Sequence, residues 1–424
     1  MKTLHALVVG AAVLALLVLA ASGQLRVSRA ATTFELNAVV TDVGEQIVSL
    51  TLDTSRFRLD AAGLDTGTFR VHATGLNPYR SLDPRTVTGT YDRDRVVTAV
   101  SLTPGGDILL ALRSGPEVPE AFTVAHADGI GRSIALDVRY TISQRTPITT
   151  GHGRLRFDGF TQGTTADPEV DAFASGESRS GLQYRLFTPV AGVPGPRPLI
   201  VWLHGGGEGG WAEAQNNDLQ LIANRGALGF TTDSAQRIFG GAYVVAPQAT
   251  DFWMNDAVMG YTPRLKSLLD ELVAANPVDP ARVYLVGASN GGYQSLALAA
   301  TYPHDFAAAV PVCPGVRRYL SDAQLAALRS TPTWIVQSRD DPVLPFADNG
   351  GYAYERIGNA LLSAYDRVVW EGRAFSGHSS WIYVAHNDPV NDQGQHLYQW
   401  LAAQRANSPT TPGIAVPTAG SAGD

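Results

Sequence analysis

The 424-residue sequence predicts an α/β unit with a mostly parallel sheet, preceded by a smaller all-β domain. Three observations support this prediction. Residues 33–150 alternate apolar and polar side chains with period two between turn signals, as in a β-sandwich of immunoglobulin-like type. Residues 169–405 alternate short apolar runs with helical patterns, which is typical of a parallel sheet with helices on both faces. The third observation is a strand pattern that turns directly into a helix pattern at Ser289.

The first region contains strand patterns but no convincing helix. The predicted strands are 34–36, 47–52, 68–71, 96–100, 108–112, 121–124 and 134–140. His72 and His126 are isolated, so we interpret them as ordinary strand or loop residues, and we see no catalytic group here. The Gly-, Thr- and Asp-rich segment 149–168 is interpreted as a linker or an edge-strand transition. This domain is therefore expected to be a structural support or a binder of polymer or cell surface.

The second region has strand patterns separated by helices. The predicted strands are 182–187, 199–203, 242–246, 283–286, 307–312, 333–336 and 367–370. The clearest helix is 262–276, with Thr262 as a plausible N-cap and Pro263 at the first helical position. An apolar stripe at helical spacing then predicts a buried face (Leu265, Leu268, Leu269, Leu272 and Val273).

Composition excludes several classes of protein. With 45% hydrophobic and 17% charged residues the chain is globular, and a net charge of -7 argues against a nucleic-acid partner. The single Cys313 excludes a disulfide within the chain and a cysteine-based metal cluster. No metal-ligand motif is present, so we expect neither a metal nor a cofactor. The oligomeric state is not predicted.

The N-terminus has the pattern of a secretory signal peptide, assigned to residues 1–30. Lys2 provides a positive charge, residues 6–21 form an apolar run, and small residues offer a cleavage site within 22–31. The alternative is a retained anchor, for which the run is short. We expect a secreted protein with no membrane span after processing. Residues 406–424, rich in Pro, Thr and small residues, are expected to be a disordered tail.

Ser289 lies between a strand pattern and a helix pattern. The apolar run 283–286 leads into Gly287-Ala288-Ser289-Asn290-Gly291, and a helical segment follows. This is the nucleophile elbow, a sharp turn that exposes a serine at a helix N-terminus. Glycines are needed on both sides because strand and helix approach too closely for a Cβ. The context predicts that Ser289 is a catalytic nucleophile.

A serine nucleophile needs a base and an acid that orients the base. The strand pattern 333–336 is followed by Asp340 and Asp341, of which we choose Asp341, with Asp340 as the alternative. The strand pattern 367–370 is followed by His378, the candidate base. His386 follows the strand-like segment 381–384, and His396 lies within a predicted helix 393–404, so both are weaker candidates. The chain order Ser, Asp, His is that of nucleophile-elbow enzymes.

The oxyanion donors are expected from two places. One is the backbone N–H of Asn290, directly after the nucleophile, and the other is the glycine-rich loop after strand 199–203. In that loop Gly205, Gly206 and Gly207 lack side chains, so their amides approach a substrate closely. His204 is expected to hold the loop by hydrogen bonding.

The motifs LHGGGEGG, APQATDFW, DPARVYLVGASNGG and GHSSW resemble those of secreted bacterial esterases with the α/β-hydrolase fold and an N-terminal immunoglobulin-like domain. Polyhydroxybutyrate depolymerases and feruloyl esterases are relatives in this resemblance. It implies the triad Ser289, Asp341 and His378, and a wall of the substrate site at Trp253. Glu208 and Trp381, beside these motifs, are further candidate substrate-binding residues.

The expected activity is hydrolysis of short-acyl, aryl or polymer esters through an acyl-enzyme. Only a short helix, 322–328, fits between Cys313 and Trp334, so we expect an open site without a large lid, rimmed by residues 211–240. The alternatives are a serine peptidase of the prolyl-oligopeptidase-like type and a surface- or polymer-binding protein with an inert hydrolase domain.

Overall fold

The computed structural model describes residues 27–151, 153–190 and 195–406. Most of the predicted signal peptide and the tail from residue 407 lie outside these residues. Strand β1 begins at Val27, so it includes the last four residues of the range 1–30 assigned to the signal peptide. No helix within the described residues has the length and apolar content needed to cross a membrane.

The N-terminal β region forms three sheets. Its strands are β1 (Val27–Thr41), β2 (Gly44–Leu52), β3 (Phe69–Leu76), β4 (Val87–Thr88), β5 (Tyr91–Arg95), β6 (Val97–Leu102), β7 (Ile108–Leu112), β8 (Val124–Ala127), β9 (Arg132–Ala135), β10 (Asp137–Gln144), β11 (Ile148–Thr150) and β12 (Gly153–Ala166). The sheet orders are β11-β12-β1-β2-β7-β6, β10-β3-β5 and β4-β8-β9. Phe34 and Leu36 of β1 share one apolar core with Val71 of β3 and Ile134 of β9, so the sheets pack face to face.

The segment 149–168, predicted as a linker or an edge-strand transition, is mostly one long strand. Residues 153–166 form β12, which pairs in parallel with β1 and antiparallel with β11. The β region therefore continues to Ala166, beyond the predicted boundary at residue 150. The sequence pattern missed this because a strand rich in Gly and Thr resembles a loop until its partner strand is known. An immunoglobulin-like topology remains a prediction.

The C-terminal half is built on one eight-stranded sheet. Its strands are β13 (Phe173–Glu177), β14 (Gln183–Phe187), β15 (Arg197–Leu203), β16 (Tyr243–Pro247), β17 (Val278–Ala288), β18 (Ala308–Val312), β19 (Trp334–Ser338) and β20 (Leu361–Tyr365). Their order is β13-β14-β16-β15-β17-β18-β19-β20. The pairs β13–β14 and β14–β16 are antiparallel, and the remaining pairs are parallel. The small hairpin β21 (Val369–Trp370) and β22 (Arg373–Ala374) follows.

Helices cover both faces of this sheet. They are α1 (Pro168–Asp171), α2 (Leu219–Ile222), α3 (Asp233–Phe239), α4 (Asp256–Met259), α5 (Tyr261–Ala275), α6 (Asn290–Thr301), α7 (Asp322–Ala327), α8 (Gly350–Ile357), α9 (Trp381–Ala385) and α10 (Leu397–Ala403). Leu285 of β17 packs with α5, α6 and α8, whereas its neighbour Val286 packs with α3 and α10. A strand buried on both faces has no polar alternation, as the sequence indicated.

Several predicted elements in this half differ in detail. Helix α5 begins at Tyr261 with Gly260 as its N-cap, so Thr262 lies inside the helix and Pro263 is its third residue. The pattern 367–370 is not a strand of the main sheet, because the last sheet strand is β20 and residues 369–370 belong to the hairpin. The strand-like segment 381–384 is helix α9, since a short apolar run fits a buried helix equally well. His396 is the N-cap of α10 and not a helix-interior residue.

The β region packs directly against the C-terminal half. Val40 of β1 joins the core formed by α3 and α10, and its carbonyl oxygen accepts a hydrogen bond from Arg225 at 2.7 Å. The Asp42 carboxylate lies 2.9 Å from the His386 imidazole. This interface contributes to the site described below.

Glu45 is a buried acid at this interface. Burial, opposed by a hydrogen bond from Thr123 and reinforced by Asp167 and Asp218, raises the pKa of Glu45 from 4.5 to about 7. A carboxyl whose pKa is higher in the folded than in the unfolded state makes the protein less stable as pH rises between those two values.

Replacing Glu45 with glutamine is expected to stabilise the protein above about pH 7, by about 1–3 kcal/mol, and to change little near pH 4. The amide carries no charge, so it avoids the desolvation that opposes ionisation. Denaturant unfolding at several pH values measures this. Glu35→Gln, on the exposed face of β1, is the matched control and should be neutral. An equal effect of Glu45→Gln at both ends of the pH range would contradict the prediction.

Candidate active site

Ser289 occupies a strained turn between β17 and α6. Its backbone has φ 56° and ψ -110°, which places a non-glycine residue in an unfavourable region of backbone space. Its N–H donates to the Val312 carbonyl oxygen at 2.8 Å, so the neighbouring strand β18 holds the turn. The strain is maintained by the surrounding structure.

The flanking glycines are required by close approach. A Cβ on Gly287 would lie 2.2 Å from the Gly291 carbonyl oxygen, and one on Gly291 would lie 1.9 Å from the Leu203 carbonyl oxygen. Real Cβ contacts are never this short, so the strand-to-helix turn accepts only glycine at both positions. The steric argument made from the sequence holds in the structure.

The structure brings the three predicted polar residues into one row. The Ser289 hydroxyl Oγ lies 2.9 Å from Nε2 of His378. On the other side of the ring, Nδ1 lies 2.9 and 3.0 Å from the two carboxylate oxygens of Asp341. The sheet order explains this, because parallel strands β17 and β19 end at the same edge and His378 follows β20.

Asp341 is held as an anion. Its Oδ1 accepts the N–H groups of Val343 and Leu344, at 2.9 and 3.0 Å, and its Oδ2 accepts from Gln337 at 2.9 Å. Burial alone would raise the pKa of Asp341, but the hydrogen bonds from His378 and the backbone lower it below its ordinary value. The carboxylate is therefore ready to orient and stabilise a charged imidazole.

The pKa of His378 is shifted in the opposite direction, above its ordinary value. Burial lowers the pKa of His378, but the neighbouring Cys313 and the hydrogen bond that His378 Nδ1 donates to Asp341 outweigh burial and raise it. The imidazolium that forms when His378 accepts a proton is thereby stabilised. Cys313 itself is fully buried, as the sequence suggested, although it lies beside the acid and the imidazole.

The other histidines lie elsewhere. His386 contacts Asp42 and stacks on Trp370, with ring centroids 4.4 Å apart. His396 Nδ1 is 2.8 Å from the Asn387 carbonyl oxygen. Asp340, the alternative acid, accepts a hydrogen bond from Ser338 at 2.5 Å. None of these residues bonds to Ser289 among the described residues.

The glycine-rich loop after β15 lies against the elbow. His204 is buried and bridges the loop: its Nε2 accepts the Ala249 N–H at 3.0 Å, and Nδ1 lies 2.6 Å from the Gly205 carbonyl oxygen. Burial lowers the pKa of His204 to about 4, so the ring is neutral near pH 7, and both of its nitrogens bond to backbone groups while Ser289 Oγ bonds to His378. This agrees with the loop-holding role expected for His204.

A pocket of about 530 Å³ opens at the serine, within the usual range for small-molecule sites. Ser289, Asn290, His378 and the predicted oxyanion residues Gly205, Gly206 and Gly207 all line it. Asn290 begins helix α6, so its N–H is a first-turn donor without a partner in the helix. The predicted oxyanion donors and the predicted nucleophile therefore share one cavity.

Trp253 is not part of the pocket wall. Its side chain is fully buried and packs on His204 and Tyr261, with ring centroids 5.0 Å away in both cases. Its neighbours Phe252 and Met254 line the pocket instead. The predicted wall residue was therefore wrong, and the residues directly before and after it form the wall. A loop pattern does not show which of three adjacent apolar side chains packs into the core and which face the pocket.

Glu208 and Trp381, the other two predicted substrate contacts, do line the pocket. Trp381 packs edge-on against His378, with ring centroids 5.8 Å apart. Glu208 accepts a hydrogen bond from Asn224 at 3.1 Å through Oε1, while its buried Oε2 has no hydrogen-bond partner within the part of the chain that the structure describes. Burial raises the pKa of Glu208 above its ordinary value.

The predicted rim, residues 211–240, was mostly wrong. Of this segment only Asn224 lines the pocket within the described residues, whereas Phe230 is fully buried in the core. The missing wall comes from the β region, where His126, Gly131 and Ser133 line the same pocket. The sequence carries no local signal for this, since these residues lie more than 150 positions from Ser289.

Comparisons with known proteins find a family model, curated relatives and solved structures that are similar to this chain. The model of the prolyl oligopeptidase family matches residues 265–342, which include Ser289 and Asp341. NocK, a protein of Nocardia uniformis subsp. tsuyamanensis named as an esterase, is 30% identical over 211 residues, 49% of this chain and 54% of NocK. Poly(3-hydroxyalkanoate) depolymerase C of Paucimonas lemoignei is 31% identical over 152 residues, a third of each chain. The chain thus spans about half or less of the length of these curated relatives.

A solved structure, the crystal structure of a thermostable esterase, superposes with a TM-score of 0.70 at 22% identity. The match covers 88% of this chain and 99% of the other. The chain therefore has the α/β-hydrolase fold. With the sequence relatives, this supports the prediction of a serine hydrolase of the ester-cleaving type.

Proposed function

We propose that this protein is a secreted serine carboxylesterase that hydrolyses short-acyl, aryl or polymer esters through an acyl-enzyme. The row of hydrogen bonds from Ser289 through His378 to Asp341, at the base of an open pocket, carries the proposal. The esterase relatives support the reaction class, and the similarity to a poly(3-hydroxyalkanoate) depolymerase supports including aliphatic polyesters among the candidate substrates.

The first step is acylation. His378 removes the Ser289 proton as Oγ attacks the ester carbonyl carbon, and Asp341 holds the imidazole with its proton on Nδ1 and stabilises the imidazolium. The carbonyl oxygen becomes an oxyanion, which the amides of Asn290 and of the loop Gly205–Gly207 stabilise by about 3 kcal/mol per donor. His378 then returns the proton to the leaving alcohol.

The second step is deacylation. Water gives a proton to His378 and attacks the acyl-Ser289 carbonyl, and the same amides hold the second oxyanion. Collapse releases the acid and restores the Ser289 hydroxyl. The strained backbone of Ser289 keeps its Oγ at the pocket floor through both steps.

The walls favour small or exposed esters. Phe252, Met254, Leu344 and Trp381 provide apolar surface, and Glu208 adds a polar group. Between β18 and β19 the described chain forms only helix α7 and a short 3-10 turn, which is too little for a lid. An open apolar pocket suits short acyl groups, aromatic acids or a polymer chain lying across its mouth.

A series of nitrophenyl esters, extended to a methyl hydroxycinnamate and an aliphatic polyester, tests this function. We expect kcat/KM to be highest for short acyl chains and to fall as the chain lengthens. A steep preference for long-chain triglycerides with interfacial activation would contradict the open site. Absence of ester turnover with retained polyester binding would instead favour an inert hydrolase half that serves binding.

Peptide hydrolysis is the second candidate function, because the prolyl oligopeptidase family model matches the segment around the elbow. The same triad chemistry cleaves amides, which are less reactive than esters. Aminoacyl nitroanilides assayed beside the nitrophenyl esters separate the two. A kcat/KM for an anilide that matches or exceeds that for the esters would favour the peptidase.

Secretion is proposed from the N-terminal pattern of Lys2 and the apolar run 6–21. Cell fractionation followed by N-terminal sequencing of the exported protein tests it. A mature N-terminus within 22–31 supports cleavage, whereas recovery only in the membrane fraction with an intact N-terminus would indicate a retained anchor.

A further inference from the structure

The hairpin β8–β9 of the N-terminal β region reaches the glycine-rich loop, Gly205–Gly210, which we call the oxyanion loop. The Ser133 N–H donates to the Gly207 carbonyl oxygen at 2.8 Å. A Cβ on Gly207 would lie 3.2 Å from the Ser133 hydroxyl, so hairpin and loop are in direct contact. The contact joins residues that are far apart in the chain.

Arg132 makes the most extensive contact of this hairpin. Its side chain is only 3% exposed, and Nη2 donates to the Asp251 carboxylate at 2.8 Å. Its Nε donates to the Gly210 carbonyl oxygen at 3.4 Å, at the end of the oxyanion loop. The guanidinium also stacks on the Phe252 ring, 3.5 Å from the ring centroid. A buried arginine is costly unless its charge and donors are used in this way.

The Phe252 ring, on which Arg132 stacks, lies against Gly206 at the centre of the oxyanion loop. A Cβ on Gly206 would lie 2.9 Å from the Phe252 ring and 3.6 Å from Nδ2 of Asn290. Gly206 is therefore enclosed between the ring that Arg132 supports and the residue that follows the nucleophile. Because the loop has glycines at five of six positions, neighbouring groups must determine where its amides point.

We propose that Arg132 is a positioning residue that holds the oxyanion loop in place opposite Ser289, so that the N-terminal β region completes the catalytic site. The inference rests on the proposed ester hydrolysis. Oxyanion stabilisation depends on donors placed within a few tenths of an ångström, and a displacement of about 1 Å costs about 100-fold in rate. Loss of Arg132 therefore acts on kcat more than on substrate binding.

Arg132→Ala and Arg132→Lys test the proposal, with kcat and KM measured on nitrophenyl acetate. For Arg132→Ala we expect kcat to fall about 10- to 100-fold, with KM changed less than about threefold. The kcat of Arg132→Lys should lie between those of this variant and the wild type. Lysine keeps the positive charge but loses the planar stacking and the separate Nε donor. Asp251 is 38% exposed, so removing Arg132 does not strand a buried charge and the variant should fold.

Two further measurements separate positioning from a merely structural role. The rate constant of inactivation by a serine-reactive phosphonate should fall in parallel with kcat, because the phosphoryl oxygen must enter the oxyanion hole. Asp42→Ala is the matched control, since it breaks the contact with His386, another contact between the two halves. It should lower Tm while kcat stays within about twofold of the wild type.

The proposal is overturned if Arg132→Ala keeps wild-type kcat, or if it raises KM alone. It is also overturned if Asp42→Ala lowers kcat equally, since general loosening of the interface would then explain the loss. Should Arg132→Ala fail to fold, Arg132→Lys provides the same comparison. A wild-type protein without ester turnover would refute the proposed function itself, which is a different result from these.

Discussion

Replacing Ser289 with alanine is expected to lower kcat for nitrophenyl esters by about 10⁴-fold or more, with little change in Tm. The nucleophilic Oγ is removed, so no acyl-enzyme forms, and only oxyanion stabilisation and substrate binding remain. Alanine keeps the backbone conformation of residue 289, and within the described residues the hydroxyl is hydrogen-bonded to His378 alone, at the pocket and not in the core. Steady-state kinetics and a thermal melt measure the two quantities.

Labelling with a serine-reactive phosphonate identifies the nucleophile independently. Wild-type protein should be labelled at Ser289, and the alanine variant should not be labelled. Ser295→Ala is a matched control on the same helix, where a buried hydroxyl bonds to the Gly292 carbonyl oxygen at 2.8 Å. It should retain wild-type turnover. Labelling at another serine, or full activity of Ser289→Ala, would exclude the proposed mechanism.

Asp341→Asn is expected to lower kcat by about 10⁴-fold while preserving the fold. The N–H groups of Val343 and Leu344 select the amide oxygen at the Oδ1 position, so the NH₂ group takes the Oδ2 position, where it faces His378 Nδ1 and also the Gln337 amide that donates to the carboxylate in the wild type. An NH₂ donor forces the imidazole to carry its proton on Nε2, so that nitrogen cannot accept the Ser289 proton. The loss arises from the wrong tautomer. kcat measured across pH, with a thermal melt at each value, tests this.

Asp340→Asn is the natural comparison because it changes the adjacent carboxylate. Asp340 accepts a hydrogen bond from Ser338 and none from His378, so turnover should fall by no more than a few-fold. If Asp340→Asn abolishes activity while Asp341→Asn retains it, the acid has been assigned to the wrong residue. The pair therefore tests the choice made from the sequence and the distances seen in the structure.

Much of the site was predictable because its signals are local. The elbow needs a buried strand, two glycines and a helix within about 20 residues, and each leaves a pattern in the chain. Likewise Asp341 and His378 follow strand patterns, so the common edge of a parallel sheet predicts that they meet. The structure places all three side chains in one hydrogen-bonded row.

Other features depended on contacts between distant residues. The last strand of the main sheet before His378 is β20 and not 367–370, because pairing with β19 decides which of two apolar runs joins that sheet. Helix α9 replaced a predicted strand, since four apolar residues fit either element when their neighbours are unknown. Strand β12 exists because β1 supplies its partner.

The chain's own patterns thus determined the elbow, the triad, the glycine-rich loop and the alternating architecture of the C-terminal half, since each depends on residues close in sequence. Only the tertiary structure decided that Trp253 is buried while Phe252 faces the pocket, and that Arg132 contacts the oxyanion loop. The physical reason is that a pocket wall is formed by whichever side chains two packed surfaces leave exposed. That outcome depends on how the β region docks, which no local pattern records.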